Sequence, residues 1–509
     1  MQFTEMKLKK LESTPLADIY QGLAVNFYDV KEVPFSEKEK QLALFLIKEI
    51  QKGAALKKGF DGVSEEDLDI FVDEVVSTIQ MNGYLDRLPS KKSFVELLEA
   101  TIKFLSKLKF VLDKSLLAEY VLHNSIGLKQ LAFFSLDDDL EELMINSPEN
   151  IFVFHRKHGM CKVNISIEEN ILTNVIQRIA LTIGREFNSK NTLLDARLPD
   201  GSRVNATLSD LSPTGATLTI RKFSATPLTI LDLIENNTIT SEAAAFLWLM
   251  VDGLGTNPQN ILVAGGTASG KTTFLNILSN FIRLNERVVS IEDTIELSLL
   301  SRENWVALEA RSSTGFEVTM DSLLKNSMRM RPDRIIVGEV RGPEALTLFT
   351  AMDTGHQGCL GTIHANNARE TIVKLGERPL SVPQSMLPLL DFVVIMERHY
   401  SKEKGMQRKV TQIVELSRME EKVLFGTLFD FDDKLGMIKR TEIGSAVFEE
   451  IARKNSLSKI ELTKELSTRK IILDWMLKQG IRKPLEVLEV IESYYYNPSK
   501  VLSTVSELQ

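Results

Sequence analysis

Apolar and polar positions follow a regular order between residues 241 and about 398. Short apolar runs of strand length are separated by stretches in which apolar residues recur with the period of a helix. The five strand-like runs are Asn260–Ala264, Val288–Ile291, Arg334–Val337, Leu360–His364 and Phe392–Met396. Continuous apolar strands joined by helices predict a largely parallel sheet covered on both faces, and therefore an α/β fold.

The pattern upstream of this core indicates two further regions. Residues 1–114 alternate polar turns with helical periodicity, for example over Leu68–Ile79, and predict a helical N-terminal region. Residues 115–225 predict a small α/β domain, because strand-like runs at Asn150–His155 and Met160–Ile165 precede a helical pattern.

The remaining boundaries follow from composition and from the change of period. Pro227 lies among small polar residues, which predicts a short interdomain linker at 226–230. The α/β core then spans 231–400. Downstream, two strand-like segments followed by helical periodicity predict a C-terminal extension of strands and helices over 401–509.

Composition and charge favour a soluble globular protein over a nucleic-acid-binding or membrane-spanning one. The 43% hydrophobic and 26% charged residues are typical of a soluble globular chain. A net charge of -8 argues against a broad nucleic-acid-binding surface, so no nucleic-acid partner is expected. The longest uncharged apolar stretch in the core, Ala243–Val251, is far shorter than the ~20 residues of a membrane-spanning helix. With no signal-peptide pattern and two cysteines, we expect a cytoplasmic protein whose membrane association is peripheral.

A glycine-rich loop joins the first strand-like run to a helical run, as a Walker A phosphate loop requires. Its glycines allow successive backbone N–H groups to point at phosphates, and the following helix adds its positive end. We expect Lys271 to contact the β and γ phosphates of ATP and the Thr272 hydroxyl to ligate Mg²⁺. The alternative is a chance match in a glycine-containing turn. The predicted nucleotide-binding residues are Gly265, Gly266, Thr267, Ala268, Ser269, Gly270, Lys271, Thr272 and Thr273.

Three acidic residues follow the second strand-like run, at the edge where open α/β sheets bind ligands. Glu292, Asp293 and Glu296 are candidates for holding Mg²⁺ and orienting the attacking water. The structural alternative is helix N-capping by Asp293 or Thr294.

The run Arg334–Val337 ends in glycine and then Glu339, as a Walker B strand does. A carboxylate there can act on Mg²⁺ or polarise the lytic water, so Glu339 is the first candidate for the catalytic acid. The alternative is an ordinary salt-bridging glutamate at a strand end.

Two histidines, His356 and His364, lie among small residues on either side of the strand-like run that begins at Leu360. Imidazoles near a γ-phosphate can sense or orient without transferring a proton. A metal site is the rival interpretation, but two histidines without a nearby third ligand make a poor zinc set. A packed structural histidine remains an alternative for each.

Arginines upstream of the core are further candidates. Phosphoryl transfer needs positive charge beyond that of Lys271 and Mg²⁺, and motors often supply it from another domain or subunit. Ordinary surface arginines are the alternative. The candidates are Arg197, Arg203 and Arg221.

Together these motifs resemble the secretion and type IV filament ATPase superfamily. The resemblance rests on the phosphate loop, Ile-Glu-Asp-Thr-Ile-Glu-Leu at 291–297, Val-Gly-Glu-Val-Arg at 337–341 and the histidine-containing segments 354–358 and 361–366. The upstream Leu-Pro-Asp-Gly-Ser-Arg-Val-Asn and the pair Asn304-Trp305 are most similar to the archaeal branch, which includes archaellum motors and pilus or secretion ATPases. Two cysteines cannot build the paired-Cys module found in many bacterial extension ATPases.

The resemblance implies a RecA-like P-loop core with a smaller N-terminal domain, and a homohexamer that binds ATP and Mg²⁺. It also implies peripheral association with a polytopic membrane platform protein, through which hydrolysis drives filament assembly or secretion. Two other function classes stay open on the residues: a nucleic-acid-translocating hexameric ATPase, and a nucleotide-binding scaffold that does not hydrolyse ATP.

Overall fold

The computed structural model divides the chain into two compact units, Met1–Ala225 and Thr226–Gln509. It describes residues 8–507 apart from 15, 32–34, 53–59, 129–130, 132–133, 135–136, 199–200, 223–226, 300–301, 312–316, 402–404 and 420–421. Residue 226 of the predicted linker therefore lies outside the described residues.

The first unit is built on a nine-stranded sheet with the order β1-β2-β3-β6-β5-β4-β9-β8-β7. Its neighbouring strands are antiparallel except for the parallel pair β3 and β6. The strands are β1 Lys10–Ser13, β2 Ala17–Tyr20, β3 Asn26–Val30, β4 Leu140–Ser147, β5 Asn150–His155, β6 Gly159–Val163, β7 Leu193–Arg197, β8 Arg203–Thr207 and β9 Thr217–Arg221.

Three helices of this unit begin at polar caps. Ser64, Ser90 and Asp113 each accept a hydrogen bond from a backbone N–H in the first turn of the helix that follows. The helices are α1 Glu37–Lys52, α2 Glu65–Phe71, α3 Ser77–Met81, α4 Lys91–Ser106, α5 Lys114–Ile126 and α6 Glu169–Thr182, with a π-helical turn at Val72–Val76 between α2 and α3.

The beginning of the chain differs from the helical region predicted over 1–114. Residues 10–30 contain β1, β2 and β3, which extend the sheet of the α/β unit. Tyr28 is buried there, and its hydroxyl donates a hydrogen bond to Asp137. Strands of four or five residues are too short for a two-residue period to be recognised, whereas the predicted helical periodicity corresponds to the helices between 37 and 126.

The second unit contains another nine-stranded sheet, with the order β12-β11-β13-β14-β10-β15-β16-β17-β18. The strands from β12 to β15 are parallel and those from β15 to β18 are antiparallel. The predicted α/β class is therefore confirmed. The strands are β10 Ile261–Gly265, β11 Val288–Glu292, β12 Trp305–Glu309, β13 Arg334–Val340, β14 Leu360–Ile363, β15 Phe392–Ser401, β16 Gly405–Met419, β17 Lys422–Asp432 and β18 Met437–Arg440.

Helices of this unit pack around the sheet in two hydrophobic clusters. They are α7 Ile230–Glu235, α8 Ser241–Asp252, α9 Lys271–Ser279, α10 Met320–Ser327, α11 Glu344–Asp353, α12 Ala368–Gly376, α13 Ala446–Lys454, α14 Lys459–Lys478, α15 Pro484–Tyr496 and α16 Pro498–Glu507. The apolar stretch Ala243–Val251 is the completely buried part of α8. In the described part of the chain, no helix combines the length and apolarity needed to cross a bilayer.

The predicted division at residue 400 does not coincide with a structural boundary. β15 runs across it, and β16 to β18 continue the sheet of the core. Apolar residues of the downstream helices, such as Leu473 on α14, belong to the same hydrophobic cluster as Phe246 on α8. Residues 401–509 are thus an integral part of the second unit, because the core is completed only by these strands and helices.

Candidate nucleotide-binding site

The phosphate loop connects β10 to the first turn of α9 in the second unit. Every residue of β10 is buried, which fixes the position from which the loop starts. Gly270 caps α9 with a φ of 93°, a conformation that side-chain-bearing residues rarely adopt. Lys271 is the first residue of α9, and its Nζ donates a 3.0 Å hydrogen bond to the carbonyl oxygen of Gly266. The loop therefore places an amine and a helix N-terminus at the carboxyl edge of the sheet.

The charges around Lys271 link the loop to the carboxyl ends of β11 and β13. Burial lowers the pKa of Lys271, while the negative charges of Glu339 and Glu296 act in the opposite direction. The positive charge of Arg341 contributes a further lowering. Lys271 thus lies within electrostatic reach of two of the predicted acidic residues.

Glu292 at the end of β11 is buried and forms part of the site's framework. Its Oε1 accepts hydrogen bonds from the backbone N–H groups of Glu296 and Leu297, at 2.9 and 3.1 Å. Its side chain crosses Gly338 of β13, where an added Cβ would lie 2.8 Å from the Glu292 Cγ. Glu292 therefore orders the segment that carries Glu296, a role that the sequence analysis did not include.

Arg341 connects the two other predicted carboxylates. Its Nη2 lies 2.5 Å from Oε2 of Glu339, and its Nη1 lies 3.3 Å from Oδ2 of Asp293. The hydrogen bond to Glu339 raises the pKa of Arg341. The sequence motif contains Arg341 but does not indicate its role, because the partners of a strand-end arginine can be identified only when the neighbouring strand is known.

The donor set beside the loop fits Mg²⁺. The Thr272 hydroxyl belongs to the first turn of α9, and Glu339 and Asp293 supply carboxylate oxygens at the same edge. Among the described residues, no group of three or more His, Cys, Asp or Glu side chains is arranged to hold a metal by itself. Mg²⁺ commonly takes only one or two protein ligands together with nucleotide phosphates, so oxygen donors beside a phosphate loop suit it.

The two histidines lie at opposite ends of β14. His364 directly follows the strand and is exposed at the carboxyl edge, the edge of the phosphate loop. His356 precedes the strand, and Cys359 donates a hydrogen bond to its carbonyl oxygen. A strand of four residues separates the two edges by about 13 Å. Within this unit only His364 lies at the edge of the phosphate loop, and the role expected for His356 stays a prediction.

The three predicted arginines form a row across one end of the first unit's sheet. Arg197 on β7 is paired in register with Arg203 on β8, which is paired with Arg221 on β9. Arg203 forms a 3.3 Å ion pair with Asp195, and Arg197 donates a hydrogen bond to the carbonyl of Gly201. The structure thus brings the three arginines together with each other.

A fourth arginine, Arg408 on β16, contacts the phosphate loop directly. Its Nε donates a 3.2 Å hydrogen bond to the carbonyl oxygen of Ala268. No motif in the sequence indicated this residue, because it lies 140 positions from its partner and depends on the pairing of β16 with β15.

Comparison with known proteins places these features in a family. The family model "Type II/IV secretion system protein" matches residues 129–399. An uncharacterized protein of Methanocaldococcus jannaschii is 34% identical over 379 residues, which cover 73% of this chain and 68% of that protein. A second uncharacterized protein of this archaeon is 54% identical over 229 residues, but these cover 44% of the chain and only 32% of the relative.

A bacterial relative extends the comparison. The conjugal transfer protein TrbB of Rhizobium radiobacter is 30% identical over 303 residues, covering 58% of this chain and 89% of TrbB. The resemblance to the secretion ATPase superfamily, including the similarity to archaeal members, is confirmed. The phosphate loop, the acidic segments and the histidine-containing segments all lie inside the matched residues, and the chain belongs to the type II/IV secretion system protein family.

Proposed function

We propose that this protein is an ATP-hydrolysing motor that powers type IV filament assembly or type II/IV secretion. One observation carries the proposal: Lys271 begins the helix after the phosphate loop, and strand register places the end of β13, which carries Glu339, level with the end of β10, from which the loop starts. A phosphate-binding amine beside acidic side chains is the arrangement that phosphoryl transfer to water requires. Family membership supports the same function.

Each residue of the candidate site has a separate role in ATP hydrolysis, which follows from its position. Residues 265–273 bind the triphosphate, with Lys271 at its β and γ phosphates. Thr272 and an acidic residue at this edge would hold Mg²⁺, the candidates being Glu292, Asp293 and Glu339, and the ion would neutralise charge on the phosphates. Glu339 polarises the attacking water, and its ion pair with Arg341 orients the carboxylate. Glu296 and His364 lie at the same edge and orient the water and the terminal phosphate.

Positive charge contributed by another subunit would complete the site, and the arginine row is its candidate source. Three arginines paired in register present their charge from one sheet end, as an arginine finger contributed by another domain or subunit needs. The assembly is a homohexamer, and ATP binding and release move its domains relative to one another. It is cytoplasmic and acts on a polytopic membrane platform protein at the inner face of the membrane.

Two substitutions test the hydrolytic site. Lys271→Ala should abolish ATP binding and turnover, because the loop loses its phosphate-binding amine. Glu339→Gln should bind ATP but reduce phosphate release by about 10²-fold or more, since the amide cannot accept a proton from water. Glu317→Gln, an exposed acidic position outside the site, is the matched control. Full phosphate release by either site variant would refute the assignment.

The same assay separates the two other function classes. ATP binding by the wild type without phosphate release would identify a scaffold. Phosphate release that rises with single-stranded DNA and falls steeply with salt would identify a nucleic-acid translocase. The motor proposal expects neither outcome, and expects a membrane protein with several spans to copurify with the chain.

A further inference from the structure

The strand next to the phosphate loop extends past it. Gly265, the last residue of β10, lies opposite Met396 of β15, but β15 continues to Ser401 and pairs over this part with the first residues of β16. We call the part of this pair beyond the loop, residues 397–401 and 405–409, the overhanging hairpin. It lies beside the phosphate loop at the carboxyl edge of the sheet.

Hydrogen bonds from the two residues after Arg408 fix the overhanging hairpin to the rest of the unit. Lys409 is buried, and its Nζ donates a 2.7 Å hydrogen bond to the carbonyl of Asn237. The backbone N–H of Val410 donates to the carbonyl of Thr238 at 2.9 Å. Arg408 is therefore presented to the loop from a fixed strand rather than from a free turn.

Arg408 contacts the loop at two neighbouring points. Its Nε donates the 3.2 Å hydrogen bond to the Ala268 carbonyl. Its Cδ lies 3.1 Å from the position that a Cβ on Gly270 would occupy, so the aliphatic part of the side chain packs against the start of α9. The side chain thus spans the second half of the phosphate loop.

Ala268 is the strained residue of this loop. Its φ of 58° lies in the left-handed region, where the Cβ of an L-residue is crowded. The hydrogen bonds within the loop do not involve the Ala268 carbonyl, because the Ser269 N–H and the Lys271 Nζ both donate to the carbonyl of Gly266. A hydrogen bond from outside the loop to the Ala268 carbonyl opposes relaxation of the strained peptide.

We propose that Arg408 is a positioning residue that holds the phosphate loop in its ATP-binding conformation by fixing the Ala268 carbonyl. The proposal rests on the nucleotide binding proposed above. It links the strands beyond residue 400, which carry no catalytic motif, to the affinity of the loop for ATP. Loss of Arg408 frees Ala268 to leave the left-handed region, and the backbone N–H groups that follow it turn away from the phosphates.

Titration of the full chain with a fluorescent ATP analogue tests this role. Arg408→Ala should raise the Kd roughly three- to tenfold, the effect of losing one exposed hydrogen bond. In the A268G chain, glycine adopts a positive φ without steric cost, so the same R408A change should alter the Kd by less than about twofold. In steady-state hydrolysis, Arg408→Ala should raise KM while kcat stays within about twofold.

A charge-matched control separates positioning from electrostatic attraction. Arg398 is exposed and lies opposite Arg408 in the overhanging hairpin, and no hydrogen bond from it to the loop is found among the described residues. Arg398→Ala should change the Kd by less than about twofold, because only a screened surface charge is lost. Arg408→Lys, which keeps the charge without the planar Nε donor, should bind more weakly than the wild type.

The remaining outcomes contradict either the positioning role of Arg408 or the proposed nucleotide binding. An unchanged Kd for R408A, an equal loss in the wild-type and A268G backgrounds, or an equal loss for R398A overturns the positioning role. Failure of the wild type to bind the analogue refutes the proposed function instead. Thermal melting verifies that each variant is folded. If R408A does not fold, Arg408→Lys replaces it in the double-mutant cycle with A268G.

Discussion

Gly338 and Glu292 show how one missing side chain makes room for a functional one. The Glu292 side chain occupies the space above Gly338, where a Cβ would come within 2.8 Å of its Cγ. Glu292 in turn holds the backbone of Glu296 and Leu297. The glycine within the Walker B strand β13 therefore has a packing reason that does not involve the nucleotide.

Gly338→Ala should lower both stability and ATP hydrolysis. The new methyl group displaces Glu292, and overpacking of this kind costs about 1–3 kcal/mol. Urea unfolding and phosphate release measure the two effects. Gly444→Ala is the control, because nothing lies within 4 Å of the Cβ it adds. An unaffected G338A chain would show that Glu292 does not need its observed position.

Asp391 is a titrating group at the opposite edge of the sheet. Burial raises the pKa of its carboxyl to about 7, against the opposing effect of the hydrogen bond from the Asn260 backbone N–H. Glu450 and Glu415 raise this pKa further, and Lys454 lowers it. A raised folded-state pKa means that this group stabilises the fold at acidic pH and loses that contribution as pH rises.

Asp391→Asn should flatten the pH dependence of stability between pH 4 and 7. In the wild type the unfolded carboxyl ionises near 3.8 and the folded one near 7, so the contribution disappears over this interval. The amide oxygen of asparagine still accepts the Asn260 N–H. Above pH 7 the variant should have the higher Tm in scanning calorimetry. A lower Tm at pH 8 would contradict the raised pKa.

At the scale of elements, a buried ionic contact joins the C-terminal helices to the core. Arg469 on α14 is almost completely buried, and its Nη2 donates a 2.8 Å hydrogen bond to Asp252 at the end of α8. Arg283 binds the other carboxylate oxygen at 2.7 Å. The guanidinium of Arg469 also lies over the ring of Trp248. One carboxylate thus connects three parts of the second unit.

Arg469→Met should destabilise the second unit by about 3–5 kcal/mol, because Asp252 stays buried with only half of its compensating charge. Lys470→Ala is the matched control on the same helix. It removes an exposed ion pair with Asp474, and such pairs contribute about 0–1 kcal/mol. Urea denaturation curves of the two variants provide the comparison. Equal losses in the free energy of unfolding would show that the buried ion pair stabilises the unit no more than the exposed one.

The elements differed in how well the chain's pattern predicted them. Long amphipathic helices were recognisable because their period repeats over many positions, and the strands of the parallel sheet because they are continuous apolar runs. The strands β1 to β3 were not, since each contains five residues or fewer and mixes polar with apolar residues. The role of β16 was also missed: its alternation indicated a strand, but the partner that makes it part of the core is set by long-range pairing.

At the scale of the whole molecule, each compact unit contains its own hydrophobic clusters. Among the residues that the structure describes, two clusters belong to positions before 225 and two to positions after 226. The second unit therefore has the requirements of an independently folding domain. Its cluster around Phe246 and Trp248 draws on residues of α7 to α9 and of α13 to α16.

A fragment of residues 226–509 should fold and unfold cooperatively, whereas a fragment of 226–400 should not. The shorter fragment loses β16 to β18 and all of α13 to α16, which leaves α8 and one face of the sheet exposed to water. Circular dichroism melts and proteolysis distinguish the two. A stable 226–400 fragment would show that the downstream residues are a separate appendage.

The sequence alone was sufficient for the α/β class, for the phosphate loop with its flanking strand and helix, and for the family. These features depend on local periodicity and on motifs of a few adjacent residues. Only the tertiary structure decided which edge each histidine occupies, that Arg341 lies between two carboxylates, and that Arg408 reaches Ala268. Such relations depend on strand order and register, and these arise from the burial of apolar surface over the whole unit rather than from neighbouring residues.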